Sequence, residues 1–171
     1  VSAFKNTAVT YFPLGEDKWR DMLAELEKAE KFIFIEYHAI EDAISFGRMK
    51  RVLAEKVKQG VDVRVLYDDV GSIGFIDSVF VKRMEALGIK CRVFNPLVPV
   101  LNMIMNNRDH RKIAVIDGKV AFTGGVNLAD EYINAVEKFG HWKDAAVMIK
   151  GKAAWSFTLI FLEMWAHCTG L

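Results

Sequence analysis

Only two cysteines, Cys91 and Cys168, occur in 171 residues, far apart and without metal-ligand spacing. That excludes a disulfide framework and reads as two buried thiols in a reducing compartment. The four histidines, His38, His110, His141 and His167, have spacings that fit no compact zinc site. A net charge of +1 gives no electrostatic argument for a nucleic-acid partner, although a local basic patch can sit inside a neutral total. No apolar run approaches the length of a membrane span, and no signal-peptide pattern is present. A valine at position 1, inside what reads as a folded segment, predicts an expressed fragment, with any upstream membrane anchor lying outside it. With 3 prolines, 52% hydrophobic and 26% charged residues, the composition is globular, and the length suits one well-filled core better than two.

Helical and strand patterns alternate along the chain. Thr7–Phe12 reads as a short strand, Asp17 to Lys31 as an amphipathic helix, and Phe32–Tyr37 as a strand buried on both faces. A second helix is expected over Asp42–Gln59 with Gly60 as its cap, then a strand Val61–Tyr67 ending in Asp68 and Asp69. Gly71 to Gly74 reads as a turn, Phe75–Leu87 as a third helix, and Ile89–Phe94 as a further strand. These crossovers imply a mostly parallel sheet with helices on both faces. The pattern changes at Asn95. Leu97–Met105 is apolar, broken by Pro99 and without clear period. Arg111–Ile116 and Lys119–Thr123, joined by Asp117-Gly118, carry a strong hairpin signal. A short helix from Leu128, a strand Ala145–Ile149 and a long helix Lys152–His167 complete the reading, without internal repeats.

The chemistry concentrates around the hairpin. Strand alternation puts His110 and Lys112 on one side and Asp117 on the other. An ammonium beside an imidazole holds a phosphodiester anion while the neutral ring attacks phosphorus, and it keeps the imidazole unprotonated at neutral pH. The returning strand leads into Gly124-Gly125-Val126-Asn127. Glycines let backbone amides approach a phosphate, and the Asn127 amide can donate to its oxygens. A lone strand histidine is more often satisfied in a core, and Gly-Gly more often a plain turn. Together, at hairpin spacing, they describe one anion site with its own nucleophile.

His110, Lys112, Asp117, Gly125 and Asn127 fall in register with H-x-K-x4-D followed by G-G/S-x-N, so the chain resembles the phospholipase D superfamily. Asn106 to Ile113, Val115 to Gly118, Phe122 to Asn127, Asp130 to Ile133, Tyr11 to Gly15, Ile35 to His38 and Trp142 to Asp144 resemble its cardiolipin synthase branch. The resemblance implies an α/β fold, a mixed sheet with helices on both faces, and one phospholipase D-like half over residues 1–171. His110 would carry a phosphatidyl-histidine intermediate, with Lys112, Gly125 and Asn127 at the phosphate. Asp117, the carboxylate of the catalytic motif, would be structural. Asp144, before the next strand, would fix the tautomer of the nucleophile. The family pairs two such motifs per site, and this chain has one. A second half, from the same longer chain or a homodimer mate, would protonate the leaving group.

The activity this implies is phosphatidyl transfer between two phosphatidylglycerol molecules at the cytoplasmic side of a bacterial membrane, giving cardiolipin and glycerol, without metal or organic cofactor. Three alternatives stand beside it: a homodimeric superfamily nuclease or phosphodiesterase, hydrolysis of phospholipid to phosphatidic acid, and a non-catalytic scaffold. A nuclease groove should be basic, whereas the segment before His110 is apolar, and a scaffold has no need of His110, Lys112 and Asn127 together. Nucleic acid is therefore not the expected partner. Glu36, ending a buried strand, is either a site-edge residue or a carboxylate paired with a neighbouring cation. Asp68 and Asp69, ending the next such strand, read more as opening a turn than as site-edge residues, and His38 as a partly exposed strand end. Leu97–Met105 reads equally as a lid entering the bilayer or as a loop packed on the core or on a second half.

Overall fold

The computed structural model describes residues 3–97 and 107–170. The segment of uncertain reading therefore lies, beyond Leu97, outside the described residues. Seven strands form one sheet in the order β1-β7-β6-β5-β2-β3-β4. They are β1 (Thr7–Phe12), β2 (Phe32–Tyr37), β3 (Asp62–Asp68), β4 (Lys90–Phe94), β5 (Lys112–Ile116), β6 (Val120–Gly124) and β7 (Ala146–Gly151). Helices α1 (Gly15–Leu26), α2 (Ile44–Lys58), α3 (Phe80–Ala86) and α4 (Ala154–Thr169) accompany them. Only β2-β3 and β3-β4 run parallel; β2-β5, β5-β6, β6-β7 and β7-β1 are antiparallel. The expectation of a mostly parallel sheet holds for the crossovers alone. Beyond Asn95 the hairpin and its neighbours make the sheet mixed, because a two-residue turn can only reverse the chain.

Side-chain alternation divides the sheet into two faces. Ile33, Ile35 and Tyr37 of β2 pack with Trp19 and Met22 of α1, Phe46 and Met49 of α2, and Phe80 and Met84 of α3. Phe34 of β2, with Ile113 and Val115 of β5, packs under Phe161 and Trp165 of α4. Helices thus cover both faces, three on one side and α4 on the other. The central strands are buried on both sides, which is why β2 and β5 read as near-continuous apolar runs.

Departures from the sequence expectations have local causes. The third helix starts at Phe80 rather than Phe75, after a turn in which the Asp77 carboxylate accepts from Val79 N (3.1 Å) and the Asp77 carbonyl from Phe80 N (3.1 Å). The short helix after Leu128 is one turn of 3-10 helix, Asp130–Ile133. The Asp130 carboxylate is committed to Ile44 N (3.1 Å) and Ser45 N (2.7 Å), capping α2 instead. The first helix stops at Leu26, five residues short of Lys31, in turns closed by Lys28 N to Glu25 O and Ala29 N to Leu26 O. Of the two thiols expected to be buried, Cys91 is and Cys168 is only partly so.

The β5-β6 turn is of the type that requires positive φ at both central residues, here 53° at Asp117 and 65° at Gly118. Its carboxylate accepts from Lys31 N (2.8 Å), Phe32 N (2.9 Å) and Glu30 N (3.0 Å). Burial opposes the Asp117 charge, but the amides of Phe32, Glu30 and Lys31 outweigh it and hold the carboxyl below its ordinary value. A depressed native pKa gives stability that is present above the unfolded value near 3.9 and lost as pH falls through the native one. Asp117→Asn tolerates the backbone yet loses the charge. We expect it to lower unfolding free energy by about 1.5–3 kcal/mol at pH 7 in urea titrations. The gap to the unsubstituted protein should close as pH falls below 4.

Candidate active site at one edge of the sheet

Antiparallel pairing across the sheet's middle brings several chain segments to one edge. The end of β2, the start of β5, the end of β6 and the start of β7 all arrive there, with Tyr37 opposite Lys112 and Gly124 opposite Ala146. The parallel strand β3 delivers Asp68 to the same edge. His110, Lys112, Asn127 and Asp144, scattered over the sequence, are gathered there. A cavity of about 580 Å³ lies instead at the opposite end of β5, lined by Phe4, Gly118 and Trp155. Size alone does not locate the chemistry.

His110 precedes β5 and is solvent-exposed, whereas Lys112 is buried to 5% exposure. Lys112 Nζ donates to the His110 carbonyl oxygen (2.9 Å), so the ammonium also braces the backbone of the histidine. The Lys112 charge, then partial burial, then His38, hold the imidazole below its ordinary pKa of 6.5. The His110 ring is accordingly neutral at pH 7, with a lone pair available for attack. Burial lowers the pKa of Lys112 itself, while Asp109 and Asp144 act to keep it charged.

Asn127 is buried, and its Oδ1 accepts from Ala39 N (3.2 Å). The amide is thereby oriented so that Nδ2 is the end left to donate. Gly125 does not supply the backbone donor expected of it, since its N–H is bonded to Ala145 O (3.0 Å). It provides room instead: a Cβ there would lie 2.1 Å from Asp144 Oδ1. Asp144 accepts from Ala145 N (2.7 Å), and its charge acts on Lys112 and Lys18. Among the described residues no hydrogen bond joins Asp144 to His110, so the tautomer-fixing contact expected of it is not made here. Asp117 stands at the far end of β5, bonded to the start of β2.

Glu36 alternates to the α4 face and is fully buried, 3.1 Å from Arg111 Nε. By geometry neither of its oxygens has a hydrogen-bond partner among the described residues, and the Arg111 charge is the weakest of the influences on it. Burial and the neighbouring Asp109 push its pKa up to about 9, and the side chain is protonated at neutral pH. It is a buried carboxyl on the α4 face, neither at the open edge nor the charged partner of a cation.

Three residues not among the expected site residues stand around the site. Asp68, fully buried, accepts from Asp109 N (2.8 Å) and Gly71 N (2.9 Å) and takes a charged contact from Arg108 (3.3 Å). It thereby fixes the approach to His110. His38 lies beside His110, with ring centroids 4.7 Å apart. Lys18 of α1 is buried beneath the site, with Nζ on Tyr37 Oη (2.7 Å), and burial brings its pKa down to about 7. The signal for Lys18 was present: it stands four residues before Met22, on the buried stripe of the helix.

A family model described as cardiolipin synthase, PLD-like domain, matches residues 22–165. An uncharacterized protein of Streptococcus mutans is 52% identical over 163 residues, covering 95% of this chain and 35% of that protein. A cardiolipin synthase of Geobacillus kaustophilus is 42% identical over 171 residues, covering 99% of this chain and 34% of the relative. This chain therefore spans about a third of the length of the curated relatives it matches. Among solved structures, Nuc from Salmonella typhimurium, a phospholipase D family member, superimposes with a TM-score of 0.66 at 22% identity, covering 94% of this chain and 93% of that one. At that identity the likeness concerns the fold.

If Lys112 holds the imidazole neutral, Lys112→Met should raise the His110 pKa toward 6.5. A proton–carbon NMR titration of the ring reads this directly, and an unchanged or lower value would remove the ammonium from its assigned part.

Proposed function

Because the chain belongs to the cardiolipin synthase, phospholipase D-like domain family, we propose that it forms one catalytic half of a phosphatidyltransferase, with His110 as nucleophile. The observation that carries this is a neutral, exposed imidazole held by a buried ammonium on its own backbone, at the edge where Asn127 presents its amide. Residues 1–171 act as a single phospholipase D-like unit. The remainder of a longer chain, or a second copy, supplies the opposing half.

The His110 nitrogen attacks the phosphorus of one phosphatidylglycerol, and the bond to its terminal glycerol breaks. The departing oxygen takes a proton from the opposing half and leaves as glycerol. The free headgroup hydroxyl of a second phosphatidylglycerol then attacks the phosphatidyl-histidine and returns its proton to the group of the opposing half that protonated the glycerol. Cardiolipin forms and His110 is regenerated. Lys112 and the Asn127 amide neutralise the phosphoryl oxygens throughout. Asp144 serves by keeping Lys112 charged.

The substrate lies in a membrane, so the working surface is the cytoplasmic face of the bacterial bilayer. No helix among the described residues is long and apolar enough to cross one. Lipid is favoured over nucleic acid by the apolar stretch before His110 and by the near-zero net charge. Whether a lipid hydroxyl or water meets the intermediate separates synthesis from hydrolysis.

His110→Ala in the full-length protein should lower phosphatidylglycerol turnover by a factor on the order of 10³ or more. It should also abolish covalent capture of radiolabelled lipid phosphate on acid quench. A labelled intermediate that survives the substitution would remove His110 from the nucleophile role. Product analysis on phosphatidylglycerol vesicles should give cardiolipin and glycerol; phosphatidic acid alone would make the enzyme a hydrolase.

A further inference from the structure

His38 is held from several sides at the end of β2. Its backbone N donates to Arg111 O (3.0 Å), and its Nδ1 lies 2.8 Å from the Asp109 carbonyl oxygen. A carbonyl only accepts, so Nδ1 carries the hydrogen and Nε2 is the nitrogen left for another partner. The fully buried Asp68 carboxylate stands 4.0 Å from Nδ1, and the ring is 21% exposed. The neighbouring turn is shaped around this ring. A Cβ at Gly71 would lie 2.3 Å from the His38 carbonyl oxygen and 2.7 Å from its Cε1. A partly exposed strand end would need none of this.

The ring also faces the reacting group. Its centroid is 4.7 Å from that of His110, with the planes tilted by 56°. In an in-line displacement the leaving oxygen departs on the side of phosphorus opposite the nucleophile. A ring set beside His110 is on the wrong side to protonate that oxygen. It is well placed to reach one of the equatorial phosphoryl oxygens, which spread around the phosphorus between nucleophile and leaving group.

We propose that His38 is a further phosphate-contacting residue of this site, its Nε2–H donating to an equatorial phosphoryl oxygen of the lipid phosphodiester. The proposal rests on the phosphatidyl-transfer reading above. Nδ1–H stays on the Asp109 carbonyl, with the Asp68 carboxylate 4.0 Å from Nδ1; the second proton that Nε2 needs in order to donate is taken up together with the phosphate anion, and the donated bond strengthens as charge accumulates on the phosphoryl oxygens. No bond to His38 forms or breaks in the reaction. Together with Lys112 and Asn127 it gives this half three donors from three different strand ends.

Two amide substitutions separate the ring nitrogens. Asn places its NH2 near the position of Nδ1 and so preserves the prop on Asp109. Gln places its NH2 near Nε2 and preserves the donor to phosphate. In the full-length protein on phosphatidylglycerol vesicles, His38→Asn should lower kcat/KM and weaken inhibition by inorganic phosphate by roughly 10- to 100-fold. His38→Gln should remain within about threefold of the unsubstituted enzyme. Normal kinetics in His38→Asn, or equal loss in both variants at unchanged unfolding midpoints, would overturn the contact and leave His38 as a backbone prop. If His38→Gln folds poorly, His38→Asn decides alone. Absence of any transfer by the unsubstituted protein would instead sink the parent reading. Phosphate binding by the variants, measured by calorimetry, would still test His38.

Discussion

Everything at the catalytic edge depends on one carboxylate at the other end of the sheet. Asp117 gathers three successive amides at the start of β2 and, through its own N–H, returns a bond to Phe32 O (3.0 Å). That clamp sets the register of β2 against β5, from Ile33 opposite Ile116 to Tyr37 opposite Lys112. A shift of one residue would turn every side chain of β5 to the other face and carry Lys112 away from the site. The motif's carboxylate thus bears on the candidate site at the length of a strand, through alignment alone.

The electrostatics of the edge are layered. Cations and neutral donors (Lys112, His38, Asn127) stand where a phosphate would lie, while carboxylates stand behind them. Asp68 and Asp109 bind backbone amides and support the imidazoles, and Asp144 supports the lysine. Fixed carboxylates let a site keep a positive face without the local repulsion that several clustered cations would otherwise create. Glu36, protonated and facing α4, contributes no negative charge to this balance at neutral pH.

Much of this was legible from one sequence because two periodicities were strong. The segments Thr7–Phe12 and Phe32–Tyr37 marked β1 and β2 at the residues where they occur, and the Asp-Gly dipeptide marked the hairpin. The motif residues His110, Lys112 and Asn127 do converge, since the hairpin that joins them is local in sequence. What was not legible depends on distant partners. Asp68 does open the expected turn, through Gly71 N, but its second partner, Asp109 N, is 41 residues away and could not be read from the sequence. His38 gained its meaning only from the register of β2 with β5. Gly125 was read as a donor because a sequence cannot show that Ala145 O already occupies its amide. Helix ends at Leu26 and Phe80 moved for a similar reason: short-range competition by turns and side chains outweighed a continuing apolar pattern.

The strand that closes the sheet has a consequence for how the chain comes to be. Among the described residues β1 pairs with β7 alone, Thr7 with Gly151 and Phe12 with Ala146, so its partner is synthesised long after it. At ~5–20 residues per second, about seven to thirty seconds pass between the two leaving the ribosome. During that interval a β-prone segment bearing Val9 and Tyr11, still 65% and 63% exposed once folded, waits without hydrogen-bonding partners. The unit can condense around β2, β3 and β5 first, because their contacts are already available. Its outermost strand is then added as a final seal, and slow translation or crowding of nascent chains would be felt there before anywhere else.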